Sequence, residues 1–495
     1  MHADCYRRPP FDAARGRAIL PPGPLGVSRE GPALTAGGGR WIDRLAPVAV
    51  AALTWAAWRV VPAGQFQADD FRTIVRDPST VDGAALLQRL GSGLRPLLRL
   101  SYFADGALFG LDAHAFLRTS LWLHVATAVG VYALARHRLH AWAAALAALC
   151  FALQPAAAET VAYATGRSTG LSTLLLVLGL VVHERARRRA EPRARRWLEA
   201  GALALFVAAA LVKEVALVFP VLLVLWDATA PRTADTSTRP TLARPHVVAF
   251  ALAAAVGVTL AVAPRYQFLL AYSLALRGPL DNLAAALAAL PVELSLLARP
   301  WALSVRHVAP AVTPVAVGLG LAVVASLVVG GALAVRRRRG MAALALLWPL
   351  VALAPTHSLV AKLELVTEKP LYLAWVGPAL ALGALAAEVA ASRRVAVRGV
   401  AVVLVALTLA AGVVYVRRRT VLWSDARLLW AEAVAGAPLD AGAWNNLGFA
   451  HLQAGDDHEA VRAFCRALAL DPGSILTREN LSLLRILGEA REGCP

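Results

Sequence analysis

"VAVGLGLAVVASLVVGGALAV" (residues 315–335) contains no charged side chain, and four arginines, Arg336 to Arg339, follow it at once. As a helix, an apolar run of about twenty residues matches the thickness of a bilayer core. Arginines crowded against its end mark a cytoplasmic flank. The rest of the chain repeats this pattern. Of its 495 residues, 58% are hydrophobic and only 17% charged, with a mean hydropathy of +0.58. Soluble domains carry nearer about 25% charged residues, so the composition predicts an all-α, polytopic membrane protein.

Working outward, apolar runs recur at 44–62, 116–134, 141–161, 168–183, 198–226, 246–263, 282–299, 341–356, 371–391 and 396–416. With 315–335 they make about eleven expected spans. The net charge of +18 sits mainly in short loops: "ARHR" (135–138), "ERARRRAEPRARR" (184–196), "RRRR" (336–339) and "SRR" (392–394). Arginines so placed set topology. No basic face carries stacking aromatics, so nucleic acid is excluded as the partner. With the N-terminus inside, the loop 64–115, the segment around Glu159–Arg167 and the C-terminal tail fall outside. Lys213-Glu214 interrupts 198–226, which is counted as one span; two short crossings there would invert everything after it. "RRR" at 417–419 lies on the outer side in this count.

The first forty residues, rich in Pro, Gly and Arg, read as a disordered tail, and no cleavable signal peptide is visible. The four cysteines have no metal spacing, and Cys465 and Cys494 are placed to pair if their domain is extracytoplasmic. After Arg419 the composition becomes that of a soluble helical domain. In "AWNNLGFAHLQAGDDHEAVRAFCRALALDPGS" (443–474), Trp444, Leu447, Gly448, Ala460, Phe464, Ala467 and Pro472 stand at tetratricopeptide-repeat spacings. The small residues let paired helices approach, with Trp444 and Phe464 filling the gap. The expected domains are therefore a tail (1–40), a membrane body (41–419) and a short α-solenoid (420–495).

"QFQADDFRTIVRDPST" (65–80) places adjacent carboxylates, Asp69 and Asp70, where the chain leaves its first span. Glu159, Arg167, Lys213, Glu214, Glu368 and Lys369 are expected near the same surface. Ionisable residues at membrane depth are costly and point to function. A carboxylate there can take the proton of an acceptor hydroxyl. Arg and Lys can hold a departing phosphate, while a groove between spans takes a lipid tail. Transfer of a sugar from a polyprenyl-phosphate donor uses all three. An acidic pair can also bind a divalent metal, but the remainder of an octahedral site is not evident, so no cofactor is expected.

The order of elements resembles a known family. The acidic pair is followed by "RPLLRLSYFADGALFGLDAHAFLRTSLWLHVATAVGVYAL", "ALCFALQPAAAETVAYATGRSTGLSTLLLVLGLVVH", "LVKEVALVFPVLLVLWD", "EKPLYLAWVGPALALG" and the repeats. From about Trp41 onward this is similar to the transmembrane and tetratricopeptide-repeat proteins related to protein O-mannosyltransferases, in particular bacterial relatives with few repeats. The resemblance implies a GT-C-fold glycosyltransferase of the bacterial inner membrane. Its donor would be a polyprenyl-phosphate-linked sugar and its acceptor a protein or glycan. The repeats would be extracytoplasmic and would bind a protein partner. By the same resemblance Asp70, or else Asp69, is the general base. Glu159, Arg167, Lys213, Glu214, Glu368, Lys369 and Tyr372 would bind substrate by that resemblance, and Arg95 is a further expected substrate-binding residue. The sequence departs from the family at Gln154 (usually His), Ser120 (usually Asn), Lys369 (usually Arg), Pro370 (usually Tyr) and Ala374 (usually Pro). Lysine offers a point charge where arginine offers a fork, so these departures bear on turnover. The rival expectation is a non-catalytic membrane scaffold that presents the repeats. His124, on an apolar helix, is expected to pack.

Overall fold

The computed structural model describes residues 39–92, 94–231 and 243–486. The expected tail (1–40) lies almost wholly outside them, as does Cys494. The described chain is helical, with no strand among the described residues. From Ile42 onward it forms one compact unit.

Helix α1 (Gly39–Trp58) leads into a loop region that folds on itself. Asp77 accepts from the Ser79 N–H at 3.1 Å and ion-pairs with Arg99, fixing the turn Pro78–Thr80. Two helices complete the loop, α2 (Gly83–Ser92) and α3 (Pro96–Phe109). Helix α4 (Ala113–Ala135) follows, and then α5 (Ala141–Ala152), which bends by 54° into the segment ending in α6 (Ala158–Val161). Helices α7 (Arg167–Arg187), α8 (Pro192–Val212), α9 (Phe219–Ala228) and α10 (Arg244–Val262) come next. After α11 (Pro264–Leu276) and α12 (Pro279–Leu296) the body ends with α13 (Pro314–Arg336), α14 (Gly340–Leu353), α15 (Leu371–Ala374), α16 (Val376–Ala390) and α17 (Val395–Ser424).

Among the described residues six helical segments are long and apolar enough to cross a membrane, or seven if the bent α5–α6 pair counts as one. The expected eleven is not reached by this measure. Helix α14 has only 14 residues, and α8 carries Arg193, Arg195, Arg196 and Glu199 in its first half. The exposed faces of α13 and α17 are rows of Val and Leu, which suits contact with lipid.

Hydrogen bonds between helix ends define two ends of the bundle and correct the expected course in two places. At the basic end, Arg188 donates to the His137 carbonyl at 2.6 Å. There too Arg138 donates to Thr229 Oγ1 at 3.0 Å, and Gly340 abuts the Thr229 carbonyl. At the other end, Lys213 donates to Thr169 at 2.7 Å and Arg95 to Glu214 at 2.8 Å. So 198–226 is not one span: α8 runs away from the basic end, the chain breaks at Lys213, and α9 returns. The expected span 282–299 does not run end to end either. Asn282 donates to Ser358 O, and Gln154 donates to Leu297 O, each partner lying on the Lys213 side of the bundle. The two corrections cancel in parity. Arg336–Arg339 therefore stay with "ARHR", and the last turns of α17 emerge beside Asp69 and Asp70.

The C-terminal helices α18 (Ala426–Gly436), α19 (Ala441–Gln453), α20 (Asp457–Leu470) and α21 (Ile475–Ile486) pack in sequence. A Cβ on Gly448 would lie 2.7 Å from the buried Phe464 ring, so only glycine allows α19 and α20 to meet this closely.

Candidate functional site

The acids of the first loop sit on a strained backbone. Ala68, just before them, has φ 42°, in the left-handed region that a side chain disfavours. The Gln67 amide donates to the Trp423 carbonyl at 2.7 Å, pinning the loop to the end of α17. A π-helical turn, Phe71–Val75, follows. Such kinks concentrate at functional sites.

The two acids then part company. Asp70 is fully buried. Its Oδ2 accepts from the Gln67 N–H at 3.1 Å and its Oδ1 from the Thr165 N–H at 2.8 Å, tying the first loop to the segment before α7. Burial pushes its carboxyl up to about 7, against the opposing pull of these two N–H groups and the nearby Lys369 charge. Asp69 is open, its side chain 63% exposed, and pairs at 3.5 Å with the exposed Arg72. Its backbone N–H donates to the Tyr163 hydroxyl at 2.9 Å.

Tyr163 is the hub of the arrangement. The Lys369 ammonium lies 4.7 Å from its ring centroid, a cation–π distance. Lys369 also pairs with Glu159 at 3.2 Å, while the other oxygen of Glu159 accepts from the Glu368 and Lys369 N–H groups at 3.0 Å each. Burial works against the Lys369 charge, but Glu159, with Glu364 and Asp69 behind it, more than offsets burial, and the ammonium is held above its ordinary range. Gly166 makes the local turn possible, since a Cβ there would sit 2.4 Å from the Glu159 carbonyl. Beside this group Arg95, itself at φ 57°, grips Glu214 with two hydrogen bonds of 3.0 and 2.8 Å. Lys213 lies within electrostatic reach of Arg95, Lys369 and Lys362.

The structure thus brings Asp69, Asp70, Glu159 and Lys369 around Tyr163, with Arg95, Lys213 and Glu214 adjoining. Three expected site residues send their side chains elsewhere. Arg167 is 1% exposed and donates inward to Asp105 (2.5 Å), Ser101 O (3.0 Å) and Phe116 O (2.7 Å). Tyr372 is buried and shares a 2.8 Å hydrogen bond with His124, whose other nitrogen reaches Ala152 O at 3.1 Å. Glu368 is buried against Arg419 at 3.1 Å and His307 at 3.3 Å. Tyr163 and Thr165 are uncharged, and nothing in their spacing within "YATGRST" marks them as site residues.

One cluster among the described residues has metal-site composition. Ligand atoms of His183, Asp227 and His246, at the basic end, lie within 4.8 Å of one another. Arg187 already donates to Asp227 at 2.9 Å, and His246 Nδ1 accepts the Ala243 N–H at 3.0 Å. That hydrogen bond puts the neutral ring's proton on Nε2, facing Asp227. A resident guanidinium and a proton on the facing nitrogen both oppose a cation, so the cluster is an ion-pair network.

No family model, no curated protein and no solved structure matches this chain.

Proposed function

We propose that the chain is a GT-C-type membrane glycosyltransferase that moves a sugar from a polyprenyl-phosphate donor to a protein or envelope-glycan acceptor. The observation that carries this reading is the meeting of Asp69, Glu159 and Lys369 at Tyr163, brought from three separate loops to one end of an apolar bundle. An open carboxylate beside a supported ammonium suits deprotonation of an acceptor hydroxyl and binding of a phosphate leaving group. Within the acidic pair, Asp69 is the better base, because it alone can reach an acceptor. Asp70 then positions it, holding the strained loop to the Thr165 segment. Lys369 is the main phosphate ligand, with Lys213 and Arg95 beside it.

We read α18–α21 as the tetratricopeptide portion and place it outside the cytoplasm of a bacterial cell. Support comes from the Gly448–Phe464 packing, from its position at the end opposite the arginine loops, and from Cys465, which is disulfide-bonded. Its helices would present a protein partner or acceptor to the site.

The test is release of sugar or lipid phosphate by the purified protein in nanodiscs, offered a panel of polyprenyl-phosphate sugars. Turnover that falls by about 100-fold or more in Asp69→Asn supports the assignment. Donor binding without turnover, equal in wild type and Asp69→Asn, would establish the rival reading, a membrane-anchored scaffold for envelope assembly.

A further inference from the structure

A cavity of about 1220 Å³ opens at the basic end of the bundle, remote from Asp69. Its walls are apolar, with Leu346 of α14, Leu382 and Leu385 of α16, and Trp375 just before α16 among them. Its mouth is cationic: Arg336, Arg338 and Arg339 line it, with Glu388 the one acid among the lining residues. The side chains of these three arginines make no hydrogen bond or ion pair within the described protein. The adjoining Arg138 is by contrast fully engaged. It stacks 3.5 Å from the Trp226 ring centroid and donates to Trp226 and Thr229, so it forms a fixed wall. Arg338 adopts φ 58°, a conformation an arginine takes only where the turn demands it. That turn carries the chain from α13 into α14 and keeps Arg339 and Arg336 on the same cavity rim.

Topology alone explains arginines at a helix end. It does not explain a cavity of this size whose apolar walls run inward from them. We propose that the cavity binds one anionic phospholipid of the adjacent leaflet, with its phosphate between Arg336, Arg338 and Arg339 and an acyl chain along α14 and α16. Charge complementarity selects an anionic head, because three unpaired guanidiniums face a single carboxylate. The apolar walls select a lipid over a free phosphate. Each basic residue near an anionic lipid strengthens binding about fivefold, so the three together favour an anionic over a zwitterionic lipid by roughly a hundredfold.

The experiment is native mass spectrometry and lipid titration of the full chain in detergent, with phosphatidylglycerol, phosphatidylcholine and glycerol 3-phosphate as probes. The expected result is one tightly retained phosphatidylglycerol, roughly a hundredfold weaker phosphatidylcholine and no saturable glycerol 3-phosphate. Replacing Arg336, Arg338 and Arg339 together by Gln should abolish the preference. Because those arginines also orient the chain, a second variant, Ala381→Trp, fills the cavity while keeping every charge, and it too should lose the retained lipid. Equal retention of both lipids overturns the proposal. So does phosphatidylglycerol binding that survives Ala381→Trp, since the arginines would then act only as a charged surface. Saturable glycerol 3-phosphate binding would also overturn it, in favour of a soluble phosphate ligand.

Discussion

Arg419, near the end of α17, donates to Glu368 at 3.1 Å, and Glu368 is the immediate neighbour of Lys369. The same guanidinium reaches Glu432 of α18 at 3.4 Å and the Leu303 carbonyl at 3.2 Å. Nearby, Arg306 joins Asp440, the cap of α19, at 2.7 Å, and also pairs with Glu364 in the loop that carries Lys369. The C-terminal helices and the loop of the candidate site therefore share two arginines. Anything that shifts α18 or α19 acts directly on the loop that holds Lys369.

Arg419→Met should show this dependence. Glu368 is 1% exposed, and removing one partner of a buried ion pair costs about 3–5 kcal/mol, because the buried carboxylate is left with only His307 beside it. The expected outcome is a clearly lower thermal midpoint and faster proteolysis at 355–370. Adding Glu368→Gln to the same chain should restore much of the loss. If the double variant is as unstable as the single one, the two residues do not act as a pair.

Glu159→Gln tests how Lys369 is held. The change keeps a carbonyl for the Glu368 and Lys369 N–H groups but removes the negative charge 3.2 Å from the ammonium. A charge-assisted contact of this kind is worth about 1.5–3 kcal/mol. Without that anchor the ammonium is no longer held beside Tyr163, so donor affinity should fall, while Lys369→Arg, which keeps the positive charge, should retain most of it. Affinity unchanged in Glu159→Gln would separate Lys369 from donor binding.

Much of this architecture was legible in the sequence, and the parts that were not share a physical reason. Hydropathy reports that residues 198–226 avoid water, but not which way they run. The Lys213-Glu214 pair was the sole sign that the chain turns there. Residues 282–299 are as apolar as a crossing segment, yet Glu293 on α12 is buried against His357 and Asn282 is held by Ser358, so the helix stays at one end. At the site, charge made Asp69, Glu159 and Lys369 visible. It also drew attention to Arg167, whose charge is spent inside on Asp105. Tyr163 was invisible because its role depends on three loops meeting, which no local pattern encodes.

Gly448→Leu probes the closest approach in the C-terminal helices. A Cβ at this position already stands 2.7 Å from the Phe464 ring, and Phe464 is completely buried. Overpacking of this kind costs about 1–3 kcal/mol. The expected signature is earlier thermal loss of helical signal together with protease cleavage within 441–470, while the apolar body persists. Cleavage that begins instead in the body would mean that α19 and α20 do not form the weakest packed pair.

Asp70 gives the chain a pH dependence of known sign. Its carboxyl is raised by burial from 3.8 to about 7. The unfolded chain releases this proton near pH 4 and the folded chain near pH 7. Between those values the folded state binds more protons, so this group lowers stability as pH rises, by at most about 1.4 kcal/mol per pH unit. Asp70→Asn cannot ionise, and it loses one of the two backbone hydrogen bonds at every pH, about 1 kcal/mol that does not vary. The informative quantity is therefore the slope. The thermal midpoint of the wild type, followed from pH 4.5 to 8 in detergent, should decline relative to that of Asp70→Asn until about pH 7 and run parallel above it. Parallel curves throughout would mean that Asp70 is ionised across the whole range and that its two N–H partners outweigh its burial. The wild type would then keep its charge as an anchor for the strained Ala68 turn, and Asp70→Asn should displace Asp69 from Tyr163 at all pH values.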